Sequence, residues 1–329
     1  MERFRTVVSP VESPSKMAIS DRILTIGSCF SDAIGQRMSQ NKFQSLANPF
    51  GIIYNPLSIH KVATYALDNN SPPPATFVER GEIVLNYDFH SELSALTEVD
   101  LQSKIISAID TVGDFIPKAK WLIITYGTAW VYVRKDNGEV VANCHKIAQS
   151  YFDKSLLKES VIVESFGKFY GALKAANPKI NVIVTVSPVR HIKDTLSLNS
   201  VSKGILRTAC YEISERFKDA SYFPAFEIMV DDLRDYRFYK ADMIHPNEVA
   251  EDYIWDKFIS CYGDQQLISF LAQWREIQNA IHHKPFHEET TAHQLFLKET
   301  IRKLQAVSSL VNVDVEIDSI NKRILKNFR

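Results

Sequence analysis

Hydrophobic runs and amphipathic stretches alternate along most of the chain. Residues 22–26, 121–126 and 180–186 are short and almost entirely apolar, as strands covered on both faces are. Stretches between them, such as residues 98–115, repeat apolar residues at helical spacing. This alternation predicts an α/β protein: a three-layer α/β/α sandwich around a mainly parallel sheet.

The same pattern divides the chain into three parts. Residues 1–20 predict an irregular lead-in, 21–262 the α/β domain, and 263–329 a C-terminal helical extension that is broken around 282–285. Within the α/β domain, Asn137-Gly138 predicts the tight turn of a hairpin between 131–134 and 139–142. Further strands are predicted at 44–47, 83–87 and 222–229, and further helices at 31–40, 57–67, 161–176, 200–217 and 248–262.

Composition narrows the setting of the protein. The 329 residues include 38 basic and 39 acidic side chains, a balance that does not favour a nucleic-acid partner. The apolar runs are too short for a membrane span, and the first residues lack the apolar core of a signal peptide. Four cysteines without C-x-x-C spacing fit free thiols in a reducing compartment, so a cytoplasmic protein is predicted.

No cofactor motif is recognised in the chain, and no metal site is predicted. The C-terminal histidines suggest a metal at first sight, but their spacing matches no zinc pattern and no carboxylate pair joins them. A solvated helical face is the preferred interpretation of these four residues, His282, His283, His287 and His293.

Gly27-Ser28 stands where a buried strand meets a helix, at the edge of the sheet where ligands bind in parallel α/β folds. A neutral hydroxyl is a poor nucleophile and needs a base within hydrogen-bond reach. Asp242 and His245 lie three residues apart ahead of the last helix of the domain, so the carboxylate can hold Nδ1 of the imidazole. Each signal is common alone, but their order along a parallel sheet predicts Ser28, His245 and Asp242 as nucleophile, base and orienting residue.

The string Gly27-Ser28-Cys29-Phe30 resembles the signature of the GSCFA domain, a largely bacterial family grouped with the SGNH (GDSL-like) hydrolases. The resemblance implies a flavodoxin-like, SGNH hydrolase-like sandwich and serine-dependent ester hydrolysis by the same three residues. It spans roughly residues 20–260. Six further strings appear in the expected order: NPFGIIYNP (48–56), DFHS (88–91), TYGTAWVY (125–132), NCHK (143–146), SPVRH (187–191) and DMIHPN (242–247).

The resemblance also implies an oxyanion hole with three hydrogen-bond donors. The N–H of Ser28 fits the first, and the N–H of Gly51 is the candidate for the second. The third block places Ala129 where an asparagine is usual, and losing one such donor typically costs about 3 to 4 kcal/mol. Either another group replaces it or the protein is a slow catalyst; the candidate replacements are Thr128, Asn143 and His145.

Several polar residues are candidates for binding a substrate, although each could equally be a structural loop residue. Arg190 suits a carboxylate or a phosphate, and its structural alternative is a salt bridge. Cys29 is a weaker candidate nucleophile, since the residue after the corner should turn inward. The candidate substrate-binding residues are Asn48, His90, Asn143, His145, Arg190 and His191.

Three functions follow from these residues. The first is a serine esterase or O-acyl transferase that acts on a small acyl ester, with an O-acetylated carbohydrate as one candidate. The second is a catalytically degenerate module that binds a glycan or an acylated ligand, which Ala129 motivates. The third, a phosphate-binding protein using the helix after Ser28 together with Arg190, is weakest because no G-x-x-x-x-G-K-[ST] loop is present. The C-terminal helices are the candidate surface for a homo-oligomer.

Overall fold

A five-stranded parallel sheet runs through the centre of the computed structural model, which describes residues 6–324. Its strands are β1 (Arg22–Gly27), β2 (Gln44–Ala47), β5 (Trp121–Tyr126), β9 (Asn181–Val186) and β10 (Ala220–Phe223). Two small antiparallel sheets are formed by β3 (Phe77–Arg80) with β4 (Ile83–Asn86), and by β6 (Trp130–Arg134) with β7 (Val140–Val141) and β8 (Phe152–Leu156).

Helices cover both faces of the central sheet and continue beyond it. They are α1 (Cys29–Gln40), α2 (Pro56–Asp68), α3 (Glu98–Phe115), α4 (Glu159–Ala176), α5 (Leu196–Arg216), the short α6 (Ala225–Glu227), α7 (Glu248–Tyr262), α8 (Gln265–His282), α9 (Thr291–Val307) and α10 (Asp314–Arg323). None of the helices between residues 6 and 324 is long and apolar enough to cross a membrane.

The strand order β2-β1-β5-β9-β10 is the flavodoxin-like order, and every neighbouring pair is parallel. The order reverses between β1 and β5, where Gly27 pairs in register with Thr125. A crevice at the carboxyl ends of the strands is the usual ligand site of such sheets. The predicted α/β sandwich with its C-terminal helices is therefore confirmed, and the corner at Ser28 lies at this switch point.

Side chains on the two faces of the sheet enter two separate cores, which explains why the strands are almost wholly apolar. Leu24 and Leu122 pack with helices α2 to α5, whereas Ile23 and Ile123 pack with α1 and α7. Trp274 of α8 joins the second core. The C-terminal helices therefore share a hydrophobic core with one face of the sheet.

Some boundaries differ from those predicted. The strand predicted at 222–229 ends at Phe223, because Pro224 has no N–H for the ladder and the chain turns into α6 and a wide helical turn over Ile228–Asp232. Strands β3 and β8 were not predicted, since most of their residues are exposed or polar.

The lead-in has neither helix nor strand from residue 6 to residue 20, apart from the pairing of Met17 with Gly263. Residues 1–5 of the predicted lead-in and 325–329 of the predicted extension lie outside the described residues. The chain breaks after α8, as predicted near 282–285. The division of the domains at residue 262 stays a prediction.

Candidate active site

The corner between β1 and α1 holds Ser28 in a fixed place. Gly27 has a φ of +146°, and a Cβ there would lie 2.2 Å from the carbonyl oxygen of Thr125, so only glycine fits. Ser28 occupies the N-cap position of α1 and is fully buried, yet its side chain makes no capping hydrogen bond. A serine at this position usually serves as a cap, and Ser28 does not.

Asn48 braces this corner from the loop after β2. Its Oδ1 accepts a hydrogen bond from the N–H of Gly27 at 2.8 Å, and its Nδ2 donates to the carboxylate of Asp32 at 2.6 Å. Burial raises the pKa of Asp32, although the hydrogen bond from Asn48 opposes the shift. Asn48 was predicted to contact substrate; in the structure its amide is engaged by the corner itself.

Asp242 and His245 form a hydrogen-bonded pair within one loop. Oδ2 of Asp242 accepts from Nδ1 of His245 at 2.7 Å, and Oδ1 accepts from the N–H groups of His245 at 3.0 Å and Ile244 at 2.9 Å. The two backbone hydrogen bonds, together with that of the imidazole, lower the pKa of Asp242 to about 2. A carboxylate that stays ionised holds the proton of His245 on Nδ1 and leaves Nε2 as the basic nitrogen.

Arg190 ties this loop to the end of β9. Its backbone N–H donates to the carbonyl of Ile244 at 3.3 Å, and its guanidinium donates to the carbonyl of Met243 at 3.2 Å. The guanidinium also lies 4.0 Å from the ring centroid of Tyr239. Arg190 was predicted to bind a carboxylate or phosphate, or to form a salt bridge. In the described part of the chain it instead links the loop of His245 to the carboxyl edge of the sheet.

The structure brings Ser28 and the Asp242–His245 pair to the same edge of the sheet without a hydrogen bond between them. Among residues 6–324, Oγ of Ser28 is a buried polar atom with no hydrogen-bond partner, and so is Nε2 of His191. Burial and the charges of Lys203 and His245 lower the pKa of His191 to about 3, so its imidazole is neutral. In structures without substrate, catalytic hydrogen bonds are often long and form only in the complex.

The three predicted oxyanion donors do not form an open hole. The N–H of Ser28 belongs to the ladder with β5, and the N–H of Gly51 donates to the carbonyl of Asn48 at 2.8 Å. The N–H of Thr128 donates to the carbonyl of Tyr54 at 3.1 Å. Gly51 has a φ of +72°, and its N–H closes the turn after β2. The sequence could not reveal this, because these acceptors approach only in the folded chain.

Cys29, the alternative nucleophile, has a protonated thiol. Burial raises its pKa, and the charge of Lys203 and the first amides of α1 only partly oppose the shift. The thiolate is the reactive form of cysteine, so this environment does not activate Cys29.

His145, Asn143 and His90 hold the loops that carry the DFHS and NCHK strings. His145 is buried, and its ring nitrogens bond to the carbonyl of Asn86 at 2.7 Å and to Oγ of Ser91 at 3.0 Å. Asn143 accepts from the N–H of His145 at 2.8 Å and donates to the same serine at 3.2 Å. His90 packs against Gly51, where a Cβ would lie 2.4 Å from that of the histidine.

A cleft of about 490 Å³ opens between the ends of β5 and β9 and the small sheet of β6, β7 and β8. It contains three predicted residues: Thr128, Asn143 and His191. Its aromatic walls were not singled out from the sequence, although all three belong to the strings NPFGIIYNP and TYGTAWVY. These residues are Tyr54, Trp130 and Tyr132. A larger polar groove of about 810 Å³, between α1 and the C-terminal helices, lies away from these residues.

The strand order and the all-parallel pairing make this a flavodoxin-like α/β protein. A buried serine lies at the switch point of its sheet, and an Asp–His pair lies at the same edge. Within that class, the chain belongs to the GSCFA family. The model of the GSCFA family matches residues 22–258, and that of the GSCFA domain protein, C-terminal domain matches residues 274–326. The family expected from the sequence is thus confirmed.

Comparison of the fold with solved structures finds distant similarities. A carbohydrate esterase family 3 protein from Talaromyces cellulolyticus is 8% identical over 77% of this chain and 98% of its own, with a TM-score of 0.36. An acetyl xylan esterase from the rumen bacterium Butyrivibrio proteoclasticus is 11% identical over 74% and 63%, with a TM-score of 0.31. No curated protein matches by sequence.

Proposed function

We propose that the protein is a serine esterase, or an O-acyl transferase, that acts on a small acyl ester. The observation that carries the proposal is the Asp242–His245 pair, with its carboxylate held ionised and its loop tied to the carboxyl edge of the sheet by Arg190. Ser28 at the switch point supplies the hydroxyl. The hydroxyl is buried, does not cap its helix and has no partner among the residues described.

In the reaction, Nε2 of His245 takes the proton of Ser28 while Oγ attacks the acyl carbon. The tetrahedral oxyanion forms at the N-terminus of α1, whose first amides and dipole favour negative charge. The protonated imidazole then gives its proton to the leaving alcohol, and an acyl-enzyme remains on Ser28. Water resolves it in a hydrolase, and an acceptor hydroxyl resolves it in a transferase. Binding of the substrate must bring Oγ and Nε2 within hydrogen-bond distance.

The cleft beside the strand ends is not lined by Ser28 or His245, and in this proposal it holds the part of the substrate that lies next to the reacting ester, such as a sugar ring. Trp130 and Tyr132 present aromatic surface there, and Nζ of Lys154 lies 4.8 Å from the centroid of Trp130. Small-ligand sites combine apolar walls of this kind with a few polar groups, and Asn143 and Asp194 supply such groups here. An O-acetylated carbohydrate fits this chemistry.

Hydrolysis of p-nitrophenyl acetate and of an acetylated xylo-oligosaccharide tests the proposal. We expect turnover by the wild type and a loss of at least about 1,000-fold in kcat/KM in Ser28→Ala and in His245→Gln. Ser31→Ala is the matched control, because Ser31 is a second buried hydroxyl without a partner in the described residues, one turn further along α1. Equal turnover in Ser28→Ala and Ser31→Ala would remove the proposal.

A binding module without catalysis is the second candidate. It is favoured because no hydrogen bond joins Ser28 to His245 in the described residues, and because the amides of Gly51 and Thr128 are already bonded to backbone carbonyls. Calorimetry with the acetylated oligosaccharide separates the two functions. Binding with no release of acetate, and with the same affinity in Ser28→Ala, would favour the module.

We further propose that the protein works in the cytoplasm and that α9 and α10 form a contact between two copies. The four cysteines are all free, as a reducing compartment requires. Leu295 and Val315 are exposed on these helices at 57% and 74%. Light scattering coupled to size-exclusion chromatography should give the mass of a dimer for the wild type and the mass of a monomer for the Leu295→Lys variant. A monomeric wild type would contradict the contact.

A further inference from the structure

A lysine that the sequence did not single out is buried beside the candidate site. Lys203 of α5 has 1% of its surface exposed, and its Nζ donates hydrogen bonds to the carbonyls of Gly127 at 2.8 Å and Ser187 at 2.7 Å. No carboxylate forms an ion pair with it anywhere in residues 6–324. Lysine is rarely buried without a partner, because removing an ammonium from water costs several kcal/mol, about the stability of a domain.

The two carbonyls bonded by Lys203 lie just past the ends of β5 and β9. The last ladder bond between these strands runs from the N–H of Ser187 to the carbonyl of Tyr126. Beyond that bond the two strands form no hydrogen bond with each other, and the buried carbonyls that follow need another donor. Lys203 therefore joins two strand ends at the point where the sheet no longer does.

Both strand ends lead directly into the candidate site. A Cβ on Gly127 would lie 3.2 Å from Nε2 of His191, so this histidine rests on the end of β5. After Ser187 the chain reaches Arg190, which bonds the loop of Asp242 and His245. The carbonyl of Ser187 that Lys203 bonds thus lies three residues before Arg190, which contacts the loop of His245.

The charge of Lys203 also acts on this site. It contributes to the low pKa of His191 and opposes the effect of burial on the thiol of Cys29, the neighbour of Ser28. Burial lowers the pKa of Lys203 itself to about 7. The two carbonyl bonds and these electrostatic effects both place Lys203 close to the carboxyl ends of β5 and β9, next to His191 and Cys29.

We propose that Lys203 is a positioning residue, which clamps the ends of β5 and β9 and so sets His191 and the loop of His245 relative to Ser28. The proposal rests on the proposed esterase function for its effect on turnover. Its structural part, the position of the two imidazoles, can be measured without any activity.

Lys203→Met tests the clamp, because methionine keeps most of the apolar stem and removes the donors. We expect kcat for p-nitrophenyl acetate to fall by about 10- to 100-fold, since a displacement of about 1 Å at a reacting group has that effect. KM should change less than kcat, because Lys203 itself does not line the cleft and acts on it only through His191. Assays are made well below the Tm of each variant, so that loss of folded protein does not enter the comparison.

Lys174→Met is the matched control. Lys174 also bonds two backbone carbonyls, those of Pro178 and Ile180, but at the opposite edge of the sheet. The substitution should lower the free energy of unfolding, because the ion pair between Lys174 and Asp219 is lost, and it should leave kcat and KM unchanged.

Imidazole NMR spectra give the second readout. With resonances assigned from His191→Gln and His245→Gln, both imidazoles should shift in Lys203→Met and stay in place in Lys174→Met. Unchanged imidazole resonances in Lys203→Met would overturn the proposal, whatever the turnover, and so would a wild-type kcat. An inactive wild type would remove the esterase function, while the spectra would still decide whether the clamp exists.

Discussion

One aspartate determines whether the imidazole at the sheet edge can act as a base. Asp242 accepts three hydrogen bonds, two of them from the backbone of its own loop, and this lowers its pKa to about 2. The carboxylate therefore carries its charge at every pH at which the protein is assayed. In the proposed mechanism, that charge fixes the tautomer of His245 and stabilises the imidazolium that would form when Ser28 loses its proton.

Replacement of Asp242 by asparagine should remove catalysis without unfolding the protein. The amide keeps the shape of the side chain, but it can present a donor to Nδ1, and the wrong tautomer of His245 is then favoured. We expect kcat to fall by about 1,000- to 10,000-fold, with Tm close to that of the wild type because the residue is exposed. Asp235→Asn, an exposed aspartate nearby in the chain, is the control and should keep full activity.

The sequence allows a prediction of catalytic side chains, because residue type indicates their chemistry. It does not allow a prediction of which backbone N–H groups are free to bind an oxyanion. Ser28, Asp242 and His245 could be proposed from their types and their order along the sheet. The amide of Gly51 was assigned by its place in a motif, but its use depends on the carbonyl of Asn48, which only the folded loop brings near. Lys203 gave no signal at all, because a lysine in an amphipathic helix ordinarily faces water.

At the scale of elements, α1 lies very close to β2. A Cβ on Gly35 would stand 2.3 Å from that of Ala47, which is closer than two non-bonded carbon atoms can approach. Helix α1 carries Ser28 at its N-terminus, so this close packing fixes the height of the serine above the sheet. A glycine in mid-helix is normally unfavourable, and here the contact explains its presence.

Gly35→Ala should therefore destabilise the protein, although alanine is the better helix former. Overpacking costs about 1–3 kcal/mol and outweighs the gain in helix propensity of about 1 kcal/mol. Gly171→Ala on α4 is the matched control, because a Cβ there meets nothing within 4 Å, and it should stabilise by about 0.5–1 kcal/mol. Urea unfolding of the two variants measures both effects. A stabilising Gly35→Ala would contradict the packing of α1.

A buried histidine between α2, α4 and β5 should make stability depend on pH. His60 bonds Oγ of Ser165 at 2.9 Å and the hydroxyl of Tyr126 at 2.7 Å, and burial lowers its pKa to about 3. Below the ordinary histidine pKa of about 6.5, the unfolded chain binds a proton that the folded protein excludes. His60 should thus lower the free energy of unfolding by about 1.4 kcal/mol per pH unit as pH falls from 6.5 towards 3.

Urea titrations at several pH values check this dependence on His60. In His60→Gln the free energy of unfolding should change with pH less steeply, by about 1.4 kcal/mol per pH unit, which corresponds to one proton. The imidazole of His282 is exposed, so His282→Gln should keep the pH dependence of the wild type. Parallel slopes in all three proteins would show that His60 is protonated in the fold.

The sequence predicted elements well where burial made their pattern strong. Strand β5 and helices α3 and α7 have the predicted bounds, because their apolar residues follow one period throughout. Edge elements were harder: β8 has exposed polar residues over most of its length. The strand predicted across Pro224 failed because the apolar run continued past the residue that ends the ladder.

At the scale of the whole molecule, the C-terminal helices pack on the same core as the central sheet. Trp274 of α8 is fully buried, its indole N–H donates to the carbonyl of Gln40 at 2.9 Å, and Lys42 lies 5.3 Å from its ring centroid. The helical pattern of this part was clear from the sequence. Its contact with α1 was not, since no local signal specifies which distant surface a helix covers.

Heat should therefore unfold the sheet and the C-terminal helices together in one calorimetric transition. Trp274→Ala should lower the stability of the whole protein by about 3–5 kcal/mol and keep a single transition. Phe286→Ala, at a fully exposed aromatic residue of the same extension, should leave Tm unchanged. Two separate transitions in the wild type would show that the C-terminal helices fold independently.

The proposed function depends on one proton transfer, from Ser28 to His245 at the edge of the sheet. Reaction with a fluorophosphonate, followed by peptide mapping in a mass spectrometer, shows whether this transfer occurs. We expect one adduct, on Oγ of Ser28, formed at least about 100-fold more slowly in His245→Gln. An unlabelled protein, an adduct on Cys29, or labelling of Ser28 at the same rate without the imidazole would contradict it.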